Sequence, residues 1–248
     1  MSHFFSTRSW IVRSNTQTQA QMRLFCFPFA GGGASTYQSW QRYLPEKVEI
    51  CAVQLPGREN RMREKPYQEI TPLVEALKQE LNPYLDLPFA FFGHSLGALI
   101  SFELARHLRR DHQIEPQHLF LSACRAPQFF ADIAPLHALP QPALIAELRR
   151  LEGTPEDVLQ NQDLMRMIVP MLRADFSVFE NYLYYPEEPL SCPITAFAGQ
   201  QDQRAPAEMV AWWREQTTSK FTMHTLPGKH FFINEARESL LALVRADL

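Results

Sequence analysis

Short, nearly continuous apolar runs alternate with segments of helical periodicity along most of this chain. The first strong run is Arg23-Leu24-Phe25-Cys26-Phe27-Pro28-Phe29. Val48 to Leu55, Phe89 to Phe92, His118 to Ala123, Pro193 to Ala198 and Phe221 to Leu226 follow. Runs of this length without polar alternation predict parallel strands covered on both faces. Between them, Thr71 as N-cap and Pro72 at the first helical position open a helix that carries Leu73, Val74, Leu77 and Leu81 on one side, to about Leu85. A second helix runs from Leu96 to about Arg110. A third starts at Pro206 with Met209, Val210, Trp212 and Trp213, and the last covers roughly Asn234 to Leu248. Strands alternating with helices predict an α/β fold with a mostly parallel, doubly wound sheet.

Two segments depart from the alternation. Residues 1–22 read as a polar N-terminal arm anchored by Trp10-Ile11. Residues 127–191 are mostly helical in pattern: Thr154-Pro155-Glu156-Asp157 resembles a capping box, and Leu164, Ile168, Met171 and Leu172 recur at helical spacing ahead of Phe176 and Phe179. Such an insertion is either an extra helical layer or a lid whose apolar face closes over an apolar substrate. With 248 residues, the whole of 1–248 fits one domain of this class.

Composition narrows the function classes. A hydrophobic content of 46% excludes intrinsic disorder. No apolar run approaches the roughly 18 residues of a membrane-spanning helix, and the first 22 residues hold no apolar core of a secretory signal. A net charge of −3 argues against nucleic-acid binding. The four cysteines, Cys26, Cys51, Cys124 and Cys192, form no C-x-x-C pair. They read as buried, reduced thiols of a cytoplasmic protein, with no metal site.

Glycine is scarce, and its placement points to the chemistry. Seven of the nine glycines fall at four loop positions, each at the end of a predicted strand: Gly31-Gly32-Gly33, Gly93 and Gly97, Gly199, and Gly228. Ligands bind open α/β sheets along that edge. Gly93-His94-Ser95-Leu96-Gly97 matches the G-x-S-x-G nucleophile elbow, preceded by a strand and followed by an amphipathic helix. A serine hydroxyl needs a base, and in this motif the chain order is serine, acid, histidine. Of eight histidines, His230 follows the last predicted strand through Leu226-Pro227-Gly228-Lys229 and can reach over the sheet edge. His94 should point away from the turn. Asp202, after Gly199-Gln200-Gln201, is the candidate acid. Asp175 is a rival within the helical segment, and Arg125 stands where a carboxylate at the preceding strand end would. The oxyanion hole needs two backbone N–H groups, assigned to Leu96 and to Ala30, with Gly31 as second choice for the latter. The glycine triplet lacks the spacing of a nucleotide-phosphate loop.

At this point the residues resemble a known family. Phe25-Cys26-Phe27-Pro28-Phe29-Ala30-Gly31-Gly32-Gly33, Gln54-Leu55-Pro56-Gly57-Arg58-Glu59-Asn60-Arg61, the elbow, Leu172-Arg173-Ala174-Asp175-Phe176 and Gly228-Lys229-His230-Phe231-Phe232 closely resemble the type II thioesterases. These are stand-alone α/β-hydrolases that accompany non-ribosomal peptide and polyketide synthases. Lys229 departs from the glycine that the family commonly shows before the histidine. The resemblance implies an α/β-hydrolase fold with 127–191 as a helical lid. It implies hydrolysis of misprimed or stalled acyl groups on the 4′-phosphopantetheine arm of acyl or peptidyl carrier domains. Ser95, Asp202 and His230 would be catalytic, and Phe29, Gly31, Met171, Phe176 and Phe231 would contact the acyl group. No cofactor is implied, because the pantetheine arrives on the substrate, and family members are often monomeric. Arg106, Arg109 and Arg110, or Arg58, Arg61, Arg63 and Lys65, could dock an acidic carrier or be a solvated face. Arg58 and Glu59 read as a loop-holding pair or as substrate contacts. Rival readings with the same triad are an acyl-CoA thioesterase or carboxylesterase, and an acyltransferase. A silent carrier-binding module is the non-enzymatic rival.

Overall fold

The computed structural model describes residues 9–14, 20–130 and 135–248. The remainder of the expected N-terminal arm, and residues 131–134 of the 127–191 insertion, lie outside the described residues. Seven strands form one sheet in the order β1-β3-β2-β4-β5-β6-β7. They are β1 (Ile11–Arg13), β2 (Met22–Phe27), β3 (Val48–Val53), β4 (Phe89–His94), β5 (Leu119–Ser122), β6 (Ile194–Gly199) and β7 (Phe221–Leu226). All six predicted apolar runs are strands, and they pair in parallel. The short β1 was not expected. It pairs antiparallel with β3 at the sheet edge, Ile11 opposite Val53.

The continuous apolar runs have a simple cause. Alternate residues of each strand enter two separate cores, one on each face of the sheet. Phe25 and Phe27 of β2 join one core with Phe89 and Phe91 of β4, while Leu24 and Cys26 join the other with Ala90 and Phe92. The first core is covered by α1 (Ile70–Leu81) and α2 (Leu96–His112). Tyr37, Trp40 and the last helix cover the second. All four cysteines are buried free thiols, and burial pushes Cys51 and Cys192 up to about 12.

Local rules explain where element ends differ from expectation. Helix α1 starts at Ile70 with Glu69 in extended backbone before it, so Thr71 is not the cap. Pro72 remains in the first turn, where a missing N–H breaks no intrahelical bond. The insertion contains α3 (Gln141–Leu151), α4 (Glu156–Gln160) and α5 (Gln162–Glu180). The expected capping box does not form. Pro155 stands at the cap position of α4, Glu156 pairs with Arg149 at 2.8 Å, and Asp157 caps only its neighbour Val158. Asn161 does cap α5, accepting from the N–H groups of Asp163 and Leu164. The third predicted helix is α6 (Ala207–Val210) followed by a tighter turn of helix over Ala211–Gln216. The last is split at Ala236 into α7 (Phe232–Glu235) and α8 (Arg237–Ala246).

Helix α5 joins two cores. Its Met165, Val169, Met171, Leu172 and Phe176 pack with Leu136, Leu144, Leu148 and Leu159 in a core belonging to the helical layer. Its Val178 and Phe179 enter the main core beside α2. The layer therefore sits against the sheet's C-terminal edge, where the glycine loops are.

Candidate active site

Ser95 sits between β4 and α2, with φ 55° and ψ −116°. A left-handed φ is disfavoured for a residue with a Cβ and persists only where the surroundings impose it. The two flanking glycines let the chain pack tightly enough to hold it. A Cβ on Gly93 would lie 2.1 Å from the carbonyl oxygen of Gly97, and one on Gly97 would lie 2.1 Å from that of Phe27. The Ser95 N–H is fixed to Ser122 O at 2.8 Å. The hydroxyl is thus held above the sheet at the start of a helix.

The structure brings the three predicted side chains together. Ser95 Oγ lies 2.9 Å from His230 Nε2, and His230 Nδ1 lies 2.8 Å from Asp202 Oδ2. A carboxylate can only accept, so Nδ1 carries the proton and Nε2 is free to accept from the serine. Burial by itself would push the Asp202 carboxyl up. The His230 contact and the N–H groups of Ala205 and Arg204 outweigh burial and hold it below the ordinary carboxylate value.

His94 points away from Ser95, as expected, but it has a task that the sequence did not reveal. Its Nε2 lies 2.9 Å from the carbonyl oxygen of His230, and its Nδ1 lies 2.9 Å from Ser122 Oγ. A carbonyl only accepts, so Nε2 is the protonated nitrogen and Nδ1 accepts from the serine hydroxyl. Burial, then the neighbouring His230, pulls its pKa down to about 3. His94 is therefore a neutral strut under the backbone of His230.

The glycine loop after β2 is braced from two directions. Gln54 accepts from the Ala34 N–H at 2.7 Å and donates to Arg58 O at 3.1 Å. Arg58 is buried and grips Asp175 of α5 with both terminal nitrogens, at 2.8 and 2.7 Å, while also donating to Gly32 O. The Asp175 carboxylate takes the Gly31 N–H as well, at 2.8 Å. So Arg58 pairs with Asp175, and Glu59 instead accepts from Ser35 at 2.6 Å. Asp175 is no rival acid. Because it occupies the Gly31 N–H, Ala30 is left with the N–H that no described group uses, beside Leu96 at the head of α2 where first-turn N–H groups lack helical partners.

A narrow apolar cleft, with a cavity volume of about 40 Å³, opens at Ser95. Its walls include Phe29, Leu148, Leu151, Leu172, Phe176 and Phe231. Of the residues expected to contact substrate, Phe29, Phe176 and Phe231 line it. Met171 is instead buried in the core of the helical layer, one helical position away from the cleft-facing Leu172. Gly31 is absent from the lining too: its φ is +83°, and a Cβ there would press within 2.7 Å of Leu172. The basic groups are mostly committed. Arg106 pairs with Glu103, Arg109 and Arg110 with Glu187, and Arg61 with Glu64, while Arg63 and Lys65 are exposed. Lys229 pairs with Glu152 across the cleft mouth. Among the described residues the cluster best suited to a metal is Glu75, His107 and Asp111. Lys78 already holds Glu75 and Asp111 at 2.7 and 2.5 Å, so an ammonium fills the cation's place.

A parallel sheet with a serine at the bend after its central strand, and acid and histidine on loops after the strands that follow, is the architecture of the α/β-hydrolases. Within that class the chain belongs to the thioesterase domain family, which matches residues 22–248. It is 45% identical over 241 residues to the gramicidin S biosynthesis protein GrsT of Aneurinibacillus migulanus, covering 97% of this chain and 94% of that one. The solved structure of RedJ, a thioesterase of the prodiginine biosynthetic pathway in Streptomyces coelicolor, superposes with a TM-score of 0.88 at 43% identity, covering 92% of this chain and 91% of RedJ. YbtT, a type II thioesterase of the yersiniabactin NRPS/PKS biosynthetic pathway, gives 0.85 at 29% identity, over 95% and 96% of the two chains. Among the described residues no helix is long and apolar enough to cross a membrane.

Proposed function

We propose that this protein is a type II editing thioesterase that releases misprimed or stalled acyl groups from the 4′-phosphopantetheine arm of carrier domains in non-ribosomal peptide or polyketide synthesis. The observation that carries the reading is the line from Asp202 through His230 to Ser95, which ends at the floor of an apolar cleft beside the N–H groups of Ala30 and Leu96. His230 takes the proton from Ser95 as the oxygen attacks the thioester carbonyl. The oxyanion is held by Ala30 and Leu96, in the manner that typically contributes about 3–4 kcal/mol per donor. The pantetheine thiol leaves with the proton from His230. Water, deprotonated by His230, then hydrolyses the acyl-serine and frees the carboxylic acid. No metal or cofactor enters these steps.

Residues 127–191 act as the lid of a one-domain hydrolase, because α3 and α5 supply Leu148, Leu151, Leu172, Phe176 and Phe179 to the cleft wall. The relatives named for gramicidin S, prodiginine and yersiniabactin pathways support carrier domains as partners and the cytoplasm, where such synthases work, as the setting. Mass spectrometry of a panel of acyl-loaded carrier domains tests the reading. Acetyl and propionyl groups should be released by the wild type and retained with Ser95→Ala, whose circular dichroism stays native. Equal release by the mutant removes Ser95 as nucleophile. Faster turnover of acyl-CoA or p-nitrophenyl esters than of any acyl-carrier would favour the rival hydrolase reading.

A further inference from the structure

Two clefts meet at Ser95. The apolar one has been described. The second has a cavity volume of about 480 Å³ and is lined by Arg125, Arg150, Arg204 and Glu147, with Leu136, Leu139 and Gln203. Ser95, Phe179, Arg204 and His230 border both, so Arg204 is the cation placed where the two spaces join beside the reacting hydroxyl.

The three arginines at this junction are held differently. Arg150 is paired with Glu147 at 2.8 Å. Arg125 spends its nitrogens on backbone carbonyls, those of Arg204 and Phe129, which leave its charge uncancelled. The Arg204 guanidinium makes no hydrogen bond and no ion pair with any described residue, although it is partly buried. Its main chain, by contrast, is held on both sides. The N–H donates to Asp202 Oδ1 at 2.9 Å, and the carbonyl accepts from Arg125 Nε at 3.1 Å. Burial pulls its pKa below the ordinary arginine value. Glu180 and Asp202 oppose that, and Arg125 and Arg150 reinforce it. A partly buried guanidinium with no hydrogen-bond partner is unfavourable by itself. A guanidinium fork also matches two oxygens of a carboxylate or phosphate at once.

We propose that Arg204 is the anion-recognition residue of this active site, accepting a carboxylate or phosphate group carried by the thioester substrate. The inference rests on the thioesterase reading and specifies which substrates that site favours. The anionic oxygens have two sources: a second carboxylate on a dicarboxylic acyl group in the apolar cleft, or the phosphate of the pantetheine arm in the second cleft.

Four probes separate them: acetyl and succinyl thioesters, each on N-acetylcysteamine, which lacks phosphate, and on 4′-phosphopantetheine. With Arg204→Gln, the ratio of kcat/KM for an anionic thioester to that for neutral acetyl-N-acetylcysteamine should fall at least about tenfold, as expected for a lost charged hydrogen bond. Arg204→Lys should recover part of it. A fall confined to succinyl thioesters assigns the carboxylate, and one confined to phosphopantetheine thioesters assigns the phosphate. An unchanged ratio for every pair overturns the inference while leaving the thioesterase reading intact. Failure of the wild type to release acetyl or succinyl groups even from a loaded carrier domain would instead remove that reading.

Discussion

At the scale of single residues, chain order and loop position are what select the candidate triad. Ser95, Asp202 and His230 each follow a strand, and the three meet within hydrogen-bonding distance. The turn points His94 away from the serine, but its partner is not legible in the sequence, because a histidine beside the elbow reveals nothing about a carbonyl 136 residues away in the chain. Its burial makes a specific prediction about pH. A histidine held near 3 when folded, against 6.5 when exposed, takes up a proton in the unfolded state first. The native state is therefore stabilised above pH 6.5 and loses that margin as pH falls toward 3, at roughly 1.4 kcal/mol per unit. Between pH 6.5 and 5 the wild type should lose about 1.6 kcal/mol that His94→Gln does not lose, as measured by urea unfolding. Equal pH slopes for the two proteins would show that His94 is not the buried neutral group. The same variant should lower kcat more than it raises KM, since the strut acts on the base and not on the acyl pocket.

At the scale of elements, the central strands were legible because they are buried on both faces, whereas helix ends depended on caps that compete. The Thr154 box lost to Pro155 and to the Arg149–Glu156 pair. The most consequential element contact joined parts of the chain that no local pattern relates: Arg58, after β3, and Asp175, on α5, are 117 residues apart. That pair fastens the helical layer to the glycine loop after β2. Removing one partner strands the other as a buried charge, at a typical cost of 3–5 kcal/mol. Asp175→Ala should therefore lower the urea midpoint strongly. Asp175→Asn keeps the shape but weakens the grip on Gly31 and Arg58. It should remain folded and lose about tenfold or more in kcat with little change in KM, because the loop that carries the Ala30 N–H is less fixed in the transition state. A native kcat for Asp175→Asn would reduce the pair to a fold-holding role. The elbow glycines are less forgiving. Gly97→Ala drives a methyl into the Phe27 carbonyl, which belongs to a central strand and cannot retreat, so the variant should fail to accumulate as folded protein.

At the scale of the whole molecule, the sheet places the reacting groups and the helical layer shapes the space above them. The sequence periodicity identified α5 but could not assign its faces. Met171 and Leu172 are adjacent, and only the packing sends the first into the layer's core and the second into the cleft. If the cleft is the acyl chamber, its depth sets the longest chain that reaches Ser95 in register. Phe176 lies on the wall and is 6% exposed, so truncating it enlarges the chamber without opening the sheet's core. Phe176→Ala should therefore shift kcat/KM toward longer acyl chains. Each added methylene that becomes buried is worth about 0.8 kcal/mol, roughly a fourfold gain per carbon until the new space is filled. Leu148→Phe, from the facing helix α3, should do the reverse and favour acetyl over hexanoyl groups. Both profiles can be read from competition among carrier-bound acyl chains of two to eight carbons. Chain preference that stays constant in both variants would place the acyl group outside this cleft, and the second, arginine-lined space would then become the candidate chamber.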